Sequence, residues 1–428
     1  MNDTSQIFPP DDLRDAIRDE VVGMDAHSRK LSLCHMRREN GRSVKVKCIA
    51  TTLDALEGTY AKHFPADVPT VLEASTNSFH IAKRLAAIGR KAIVPASDVL
   101  AGAARKDRIN DRIDAENLAR VALKRDDGTL QAVFTPSERG AELREEYFAY
   151  RDARKDATRA ANRIWSFCSR HGLDVDRRIG KKRCADLLRE GKARGWGEGT
   201  LSRARGLVED WLHAEGACRG REKVLEREVF GNPAMTRLQQ VPGIRFVGAF
   251  ALVAFVEEIR RFRTAKKLSS YIGLNPAVNR SGEDEGKGKL SKFGRRDLKA
   301  LFVEAAQSAM KTDSPLVRWA KHLLARGKPW NVAMAALARK LSVVCWHILM
   351  GHPVPDRERE RATRGKLALL AGRVGKEAVR AAGYGKNAEY VAAVAGRLYG
   401  HLPGATGSDS PEKALKKERR TAKARLGA

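Results

Sequence analysis

Long apolar runs are missing from this chain of 428 residues. The longest is Phe246 to Val256, well short of the ~18 residues that span a bilayer. A membrane protein is not expected. The opening MNDTSQIFPPDD has no basic stretch leading into an apolar one, so no secretory signal is expected either. Cysteine is scarce: Cys34, Cys48, Cys168, Cys184, Cys218 and Cys345 are scattered, with no CxxC pair. That argues against a zinc site and a disulfide framework, and for the reducing cytoplasm, at the nucleoid when on DNA. Acidic residues are also in deficit. Asp and Glu number 52 against 81 Lys and Arg, leaving a net charge of +29. Such an excess points to a polyanionic partner and says nothing of the fold.

Hydrophobic residues make up 43% of the chain, enough for two or three domains with real cores. The first ~130 residues read as mixed α/β. Short strands are expected at Glu20 to Asp25, Lys30 to Met36, Ser43 to Ala50, Val68 to Glu73 and Lys91 to Pro95. Helices are expected at Phe79 to Ile88 and Asn110 to Leu123. Three meandering strands followed by alternating helix and strand is the order of a ribonuclease-H-like sheet. Two heptad-like seams follow. One runs Leu143, Tyr147, Tyr150, Ala157, Ala161, Ile164, Cys168; the other runs Leu201, Ala204, Val208, Trp211, Cys218, Leu225, Val229. They fit an antiparallel hairpin within one chain or a coiled coil between chains. Glu215 and Glu222 interrupt the second seam. From Leu238 to about Gly351 a compact, mostly helical domain is expected. The remainder is rich in Ala, Gly, Lys and Arg, and its Glu412 to Arg425 stretch reads as a solvated helix or arm.

Four carboxylates stand out. Asp25 ends the first strand and Glu73 the fourth, while Asp111 and Asp114 share one helix face. In a ribonuclease-H-like sheet the first and fourth strands are central neighbours, so these acids would gather at one edge. Clustered carboxylates need cations. Hard oxygen ligands suit Mg²⁺ or Mn²⁺, and two such ions clamp the attacking and leaving oxygens of a phosphodiester.

The segment from Arg280 to Arg296 is rich in glycine and positive charge. Gly282, Gly286, Gly288 and Gly294 allow close backbone approach to a phosphate. Arg280, Lys287, Lys289, Lys292, Arg295 and Arg296 supply charge for nucleic-acid binding. Ser281 and Ser291 are its hydroxyls, and loop chemistry alone does not choose between them as nucleophiles. Ser291 has the look of a helix cap. Upstream, Val241-Pro-Gly-Ile-Arg-Phe-Val-Gly248 resembles a helix-hairpin-helix turn, which holds a DNA phosphate on backbone amides. Gly243 and Arg245 are its candidate contacts, Arg245 standing where the motif has its second glycine.

Together these segments resemble the transposases of insertion-sequence family one hundred and ten, relatives of the pilin-gene invertases. Val22-Gly-Met-Asp-Ala-His-Ser-Arg-Lys30, Leu72-Glu-Ala-Ser75 and Asn110-Asp-Arg-Ile-Asp-Ala115 with Leu118-Ala119 are similar to its three acidic motifs. Val241-Pro-Gly-Ile244, Arg261-Phe262, Tyr271-Ile-Gly-Leu-Asn-Pro276, Arg280-Ser-Gly282 and Gly288-Lys-Leu-Ser-Lys-Phe-Gly294 follow in the family's order, and Arg326-Gly-Lys-Pro329 and Ala338-Arg-Lys-Leu341 continue it. The second motif departs, with Ser75-Thr-Asn-Ser78 where the family runs on as TGxY.

The resemblance implies an α/β plus α architecture. Residues 1–134 would be a RuvC-like metal domain, 135–232 a helical coiled-coil region and 233–352 a transposase domain; 353–428 reads from its composition as a basic tail, longer than the family needs, and the resemblance says nothing about it. It implies catalytic and metal-binding roles for Asp25, Glu73, Asp111 and Asp114, with Mg²⁺ or Mn²⁺, and a catalytic serine at Ser281. The implied activity is a DNA transposase or recombinase working through a phosphoserine. Its implied partners are donor and target DNA, a noncoding bridge RNA and further copies of itself as dimer or tetramer. Two alternatives remain at this point: a Holliday-junction-type nuclease using water, and a non-catalytic basic nucleic-acid-binding protein.

Overall fold

The computed structural model describes residues 19–27, 29–39, 43–52, 54–73, 75, 77–95, 111–124, 133–174, 179–276, 290–291, 294–352 and 359–400. The side chains of Asp111 and Arg112 lie outside that description. The chain divides into two units, residues 1–137 and 138–428.

The first unit is a five-stranded sheet in the order β3-β2-β1-β4-β5. The strands are β1 (Glu20–Ala26), β2 (Lys30–Arg37), β3 (Ser43–Ala50), β4 (Thr70–Leu72) and β5 (Ala92–Ile93). β1, β2 and β3 are antiparallel, whereas β4 and β5 run parallel to β1. β1 is buried along nearly its whole length, as a central strand covered on both faces must be. β3 is an edge, and Lys45 and Lys47 on it discourage pairing with another chain.

Side chains alternate across the sheet. Val22, Met24, Leu31, Leu33 and Leu72 face Ile81 and Leu85 of α1 (Ser78–Ala87) together with Tyr60 and Phe64. Val21, Cys34, Met36, Val71 and Ile93 face Ala115, Ala119 and Ala122 of α2 (Asp111–Lys124). The elements expected from the sequence are therefore present. One addition is a helical turn, Ala55–Tyr60 running into Ala61–His63, whose Tyr60 is fully buried.

The second unit is mostly helical. α3 (Glu138–Arg170) and α5 (Glu198–Gly231) form an antiparallel hairpin, with α4 (Lys181–Ala193) across its far end. Arg139 pairs with Glu228 at one end and Arg163 with Asp210 towards the other, which fixes the direction. Ala160, Ile164 and Phe167 pack with Ala204, Leu207 and Trp211, and Leu143 and Tyr147 join Leu225 and Val229. The two seams thus close on each other within the chain.

Beyond them come α6 (Pro233–Arg237), α7 (Phe246–Val256), α8 (Ala265–Ile272), α9 (Arg296–Ala309), α10 (Pro315–Ala325) and α11 (Trp330–Leu349). α7 is apolar on all sides and lies in the main core of this unit, as such a helix must. Among the described helices α11 alone is long and apolar enough to cross a membrane. Arg339 and Lys340 interrupt its apolar run, so no unbroken stretch of that length stands in the sequence. α11 buries Ala333, Met334, Leu337, Leu341 and Cys345 in the same core as α7.

Residues 359–400 of the stretch read as a tail are helical and packed. α12 (Glu360–Val374), α13 (Lys376–Ala381) and α14 (Asn387–Tyr399) enclose a small core of Leu367, Val379, Tyr390, Val394 and Leu398. The charged stretch Glu412 to Arg425 lies outside the described residues.

Candidate active site and nucleic-acid interface

Asp25 and Glu73 are brought together by strand register. β1 and β4 pair in parallel with Met24 opposite Leu72, so the next residues along are Asp25 and Glu73. The Glu73 amide donates to the Met24 carbonyl at 3.3 Å, extending the pairing by one step. Asp25 shares its strand face with Val21 and Gly23, the face that α2 covers.

Gly23 sets how closely α2 can come. A Cβ there would lie 2.1 Å from the Ala115 carbonyl oxygen and 2.7 Å from the Ala119 amide nitrogen. With no side chain at that point, the α2 backbone rests directly on β1. Asp114, one residue before Ala115, arrives beside the two strand-end acids.

The electrostatics report the same neighbourhood. Desolvation raises the Glu73 carboxyl above its ordinary range, Asp25 and Asp114 raise it further, and His27 opposes them. Asp25 is only 5% exposed. Its carboxylate meets His27 Nε2 at 3.1 Å. The loop around His27 is tied down by its own carbonyl, which accepts from Thr51 Oγ1 at 3.0 Å and from Asn77 Nδ2 at 3.1 Å. Asn77 belongs to the stretch that departs from the family motif. Here it links the loop after β4 to the loop after β1. His27 was not singled out in the sequence; its position two residues after Asp25 was the available signal.

Asp111 is the first residue of α2, three before Asp114 and so on the same side of the helix. Among the described residues no three of His, Cys, Asp or Glu are gathered closely enough to hold an ion outright. The donor set is nevertheless all oxygen and mutually repelling, which is the chemistry of a hard divalent cation. Asp25, Glu73 and Asp114, with Asp111, are the residues that could hold one.

In the second unit, Arg280, Ser281, Lys287, Lys289 and Lys292 lie outside the described residues. The frame on which their segment stands is described. Pro276 and Leu290 form an antiparallel bridge, and the Ser291 amide donates to the Asn275 carbonyl at 2.9 Å. The Arg295 amide donates to Tyr271 O at 2.9 Å. Gly294 has φ 98°, and a Cβ there would sit 2.6 Å from Gly273 Cα. Only glycine fits.

Ser291 is not a helix cap. α9 begins at Arg296 with Arg295 at the N-cap position, and Ser291 is buried next to the bridge residue Leu290, where Lys299 Nζ donates to its carbonyl at 2.7 Å. The Arg295 guanidinium lies over the Phe255 ring, 3.9 Å from its centre, whereas Arg296 is exposed.

The turn before α7 is equally constrained. Gly243 has φ 74°, and a Cβ on it would fall 1.9 Å from the Ala305 carbonyl oxygen. Arg245 is exposed, with extended backbone, and no side chain caps the helix that follows. A phosphate read onto this turn would meet the first amides of α7.

Two family models match the chain. One, described as "Transposase IS116/IS110/IS902 family", covers residues 235–320. The other, described as "Transposase" and labelled DEDD_Tnp_IS110, covers residues 22–170. Residues 22–170 and 235–320 are thus similar to transposases of the IS110 group. The DEDD match includes all four acids, and the other includes the turn at Gly243 and the basic segment with Ser281. A Pseudomonas aeruginosa protein named "Probable family 20 transposase" is 33% identical over 30% of this chain and 39% of its own length. The transposase for insertion sequence element IS1111A of Coxiella burnetii is 30% identical over 33% of this chain and 40% of its own. In both cases the chain spans about two fifths of the relative's length. A Sinorhizobium fredii protein carrying a transposase name, y4pF/y4sB, is 25% identical over 67% of this chain and 75% of its own.

Proposed function

We propose that this chain is a divalent-metal-dependent DNA transposase that cuts and rejoins strands through Ser281, with a noncoding bridge RNA choosing donor and target DNA. The observation that carries the reading is the β1–β4 register, which sets Asp25 beside Glu73 while α2 delivers Asp114. The strand order β3-β2-β1-β4-β5 supports a ribonuclease-H-like, specifically RuvC-like, unit around those acids. The net charge of +29 supports nucleic-acid partners.

Asp25, Glu73, Asp111 and Asp114 would hold Mg²⁺ or Mn²⁺. When bound, such ions polarise a phosphate and stabilise the oxygens that attack and leave. Ser281 Oγ forms a bond to phosphorus as the bond from phosphorus to the neighbouring nucleotide's oxygen breaks. The seryl proton passes to solvent, and the departing oxygen takes one up from solvent. The phosphoserine ester keeps the energy of the broken bond, so a DNA hydroxyl rejoins the strand by the reverse attack. Gly243, Arg245, Arg280, Lys287, Lys289, Lys292, Arg295 and Arg296 meet backbone phosphates, Arg295 from its place over the Phe255 ring. The protein works as a dimer or tetramer, because recombination handles more than one DNA end.

The test is to incubate the protein with its RNA, labelled DNA and Mg²⁺, denature it, and look for label that migrates with protein. Ser281→Ala is expected to lose both cleavage and adduct. Alanine at Asp25, Glu73, Asp111 or Asp114 is expected to slow cleavage by at least about a thousandfold, or ~4 kcal/mol of barrier, with the fold intact. Cleavage without an adduct in Ser281→Ala would instead indicate a nuclease that uses water. Recombination undiminished by ribonuclease treatment would remove the RNA from the scheme.

A further inference from the structure

Helix α12 reaches back to the turn before α7. Lys366 Nζ donates to three backbone carbonyls of that turn: Gln239 at 2.8 Å, Val241 at 2.6 Å and Ile244 at 2.7 Å. These oxygens belong to the 3₁₀ turn Leu238–Gln240 and to Val241-Pro-Gly-Ile244, the same turn whose Gly243 is wedged against Ala305. Three acceptors match the three protons of an ammonium group. Seven residues on, on the same side of the helix, Arg373 forms ion pairs with Glu222 at 2.8 Å and with Glu226 of α5. Its guanidinium lies 5.0 Å from the centre of the Phe246 ring, at the first residue of α7. One face of α12 therefore holds both the turn and the start of the helix that follows it.

A surface lysine does not bind this way. Burial pulls the Lys366 ammonium down to about 7, with Arg245 and Arg359 adding to the fall and Cys345 opposing it. A charge placed at that disadvantage is retained only where its hydrogen bonds compensate, and here all of them go to one piece of backbone. With its carbonyls turned towards Lys366, the turn keeps them away from any anion that approaches the amides at the start of α7.

We infer that Lys366 is a positioning residue that holds residues 239–245 in the backbone form able to meet a nucleic-acid phosphate, which makes helices α12–α14 a working part of the nucleic-acid interface. The inference rests on the reading of this turn as a phosphate contact.

The experiment compares duplex DNA binding by the full chain and by Lys366→Met, Lys366→Gln and Arg245→Ala over a range of salt. The slope of log affinity against log salt counts the phosphates engaged, whereas a destabilised protein that merely loses active molecules keeps its slope. Lys366→Met is expected to bind about tenfold more weakly, with the slope shallower by about one contact. Hydrogen exchange at residues 242–247 is expected to quicken while the α3–α5 hairpin is unchanged. Lys366→Gln, which can still donate two bonds, should fall between; it carries the test if the methionine variant does not fold. Wild-type affinity and slope in Lys366→Gln and in a folded Lys366→Met would overturn the inference. Arg245→Ala separates the two claims. If it weakens binding and the Lys366 variants do not, only the role of α12 falls. If Arg245→Ala and the Lys366 variants all bind as wild type, the turn is not a phosphate contact and both claims fall.

Discussion

Gly23 carries no side chain, and that is what lets Asp114 approach Asp25. The Cβ of an alanine would press on the carbonyl of Ala115 and the amide of Ala119, both helix backbone and unable to swing aside. The helix must move, and Asp114 moves with it. Gly23→Ala is therefore expected to cost about 1–3 kcal/mol of stability, in the manner of an overpacked core, and to abolish cleavage while nucleic acid still binds. Thermal unfolding, a binding titration and a cleavage assay on one preparation check this, and cleavage at the wild-type rate would refute it. Asp25 and Glu73 were legible in the sequence because each ends an apolar strand, and Asp114 because its helix could be placed. The need for glycine at position 23 was not legible. It arises from a contact with a helix more than ninety residues away, which no local pattern records.

Among the elements, α12 shows best what composition conceals. An Ala-, Gly-, Lys- and Arg-rich stretch reads as a basic tail, yet a few spaced apolar residues, among them Leu367, Val379, Tyr390 and Val394, suffice for a small core. The strands and long helices were legible because alternation and heptad spacing repeat within each element. The α3 and α5 seams gave the same pattern for pairing within a chain or between chains. Only the chain's own packing, with Ile164 and Phe167 against Leu207 and Trp211, decides it. The ion pair joining α12 to α5 has a measurable signature. Glu226 is 1% exposed, and burial first, then Glu222, raises its carboxyl above the ordinary range, with Arg373 opposing. A raised folded pKa means the folded state holds the proton more tightly than the unfolded chain, so this group's contribution to stability falls as pH rises above about 4.3. Removing Arg373 lifts the folded value further and extends that fall upwards in pH. Arg373→Met is thus expected to lose about 3 kcal/mol near pH 7.5 and much less near pH 5. The difference in melting temperature from the wild type at the two pH values reads it out, and a gap independent of pH would contradict it.

At the scale of the whole molecule, the acids and the serine lie in different parts of the chain. Asp25, Glu73 and Asp114 fall in the unit ending at residue 137, and Ser281 falls in the span of the other. Under the proposed function the chain acts on more than one DNA end, and it then has two ways to assemble a working centre: from its own acids and serine, or from the acids of one copy and the serine of another. Mixing two inactive proteins separates them. Take Glu73→Ala, which keeps Ser281, and Ser281→Ala, which keeps the acids. If each centre is built within one chain, every centre in the mixture lacks one part and nothing is cleaved. If centres are shared across a two-fold pair, each mixed dimer has one centre with both good parts and one with neither. Random pairing in equal amounts then restores about a quarter of the wild-type centres. We expect the shared arrangement, because it ties cleavage to assembly and keeps a lone copy on DNA from cutting. The measurement is strand cleavage and adduct formation after the two variants have been unfolded together and refolded, with each refolded alone as control. Adduct at about that level, its label on the Glu73→Ala chain by mass, is the expected result. No adduct in a mixture shown to contain mixed dimers would place each centre within a single chain.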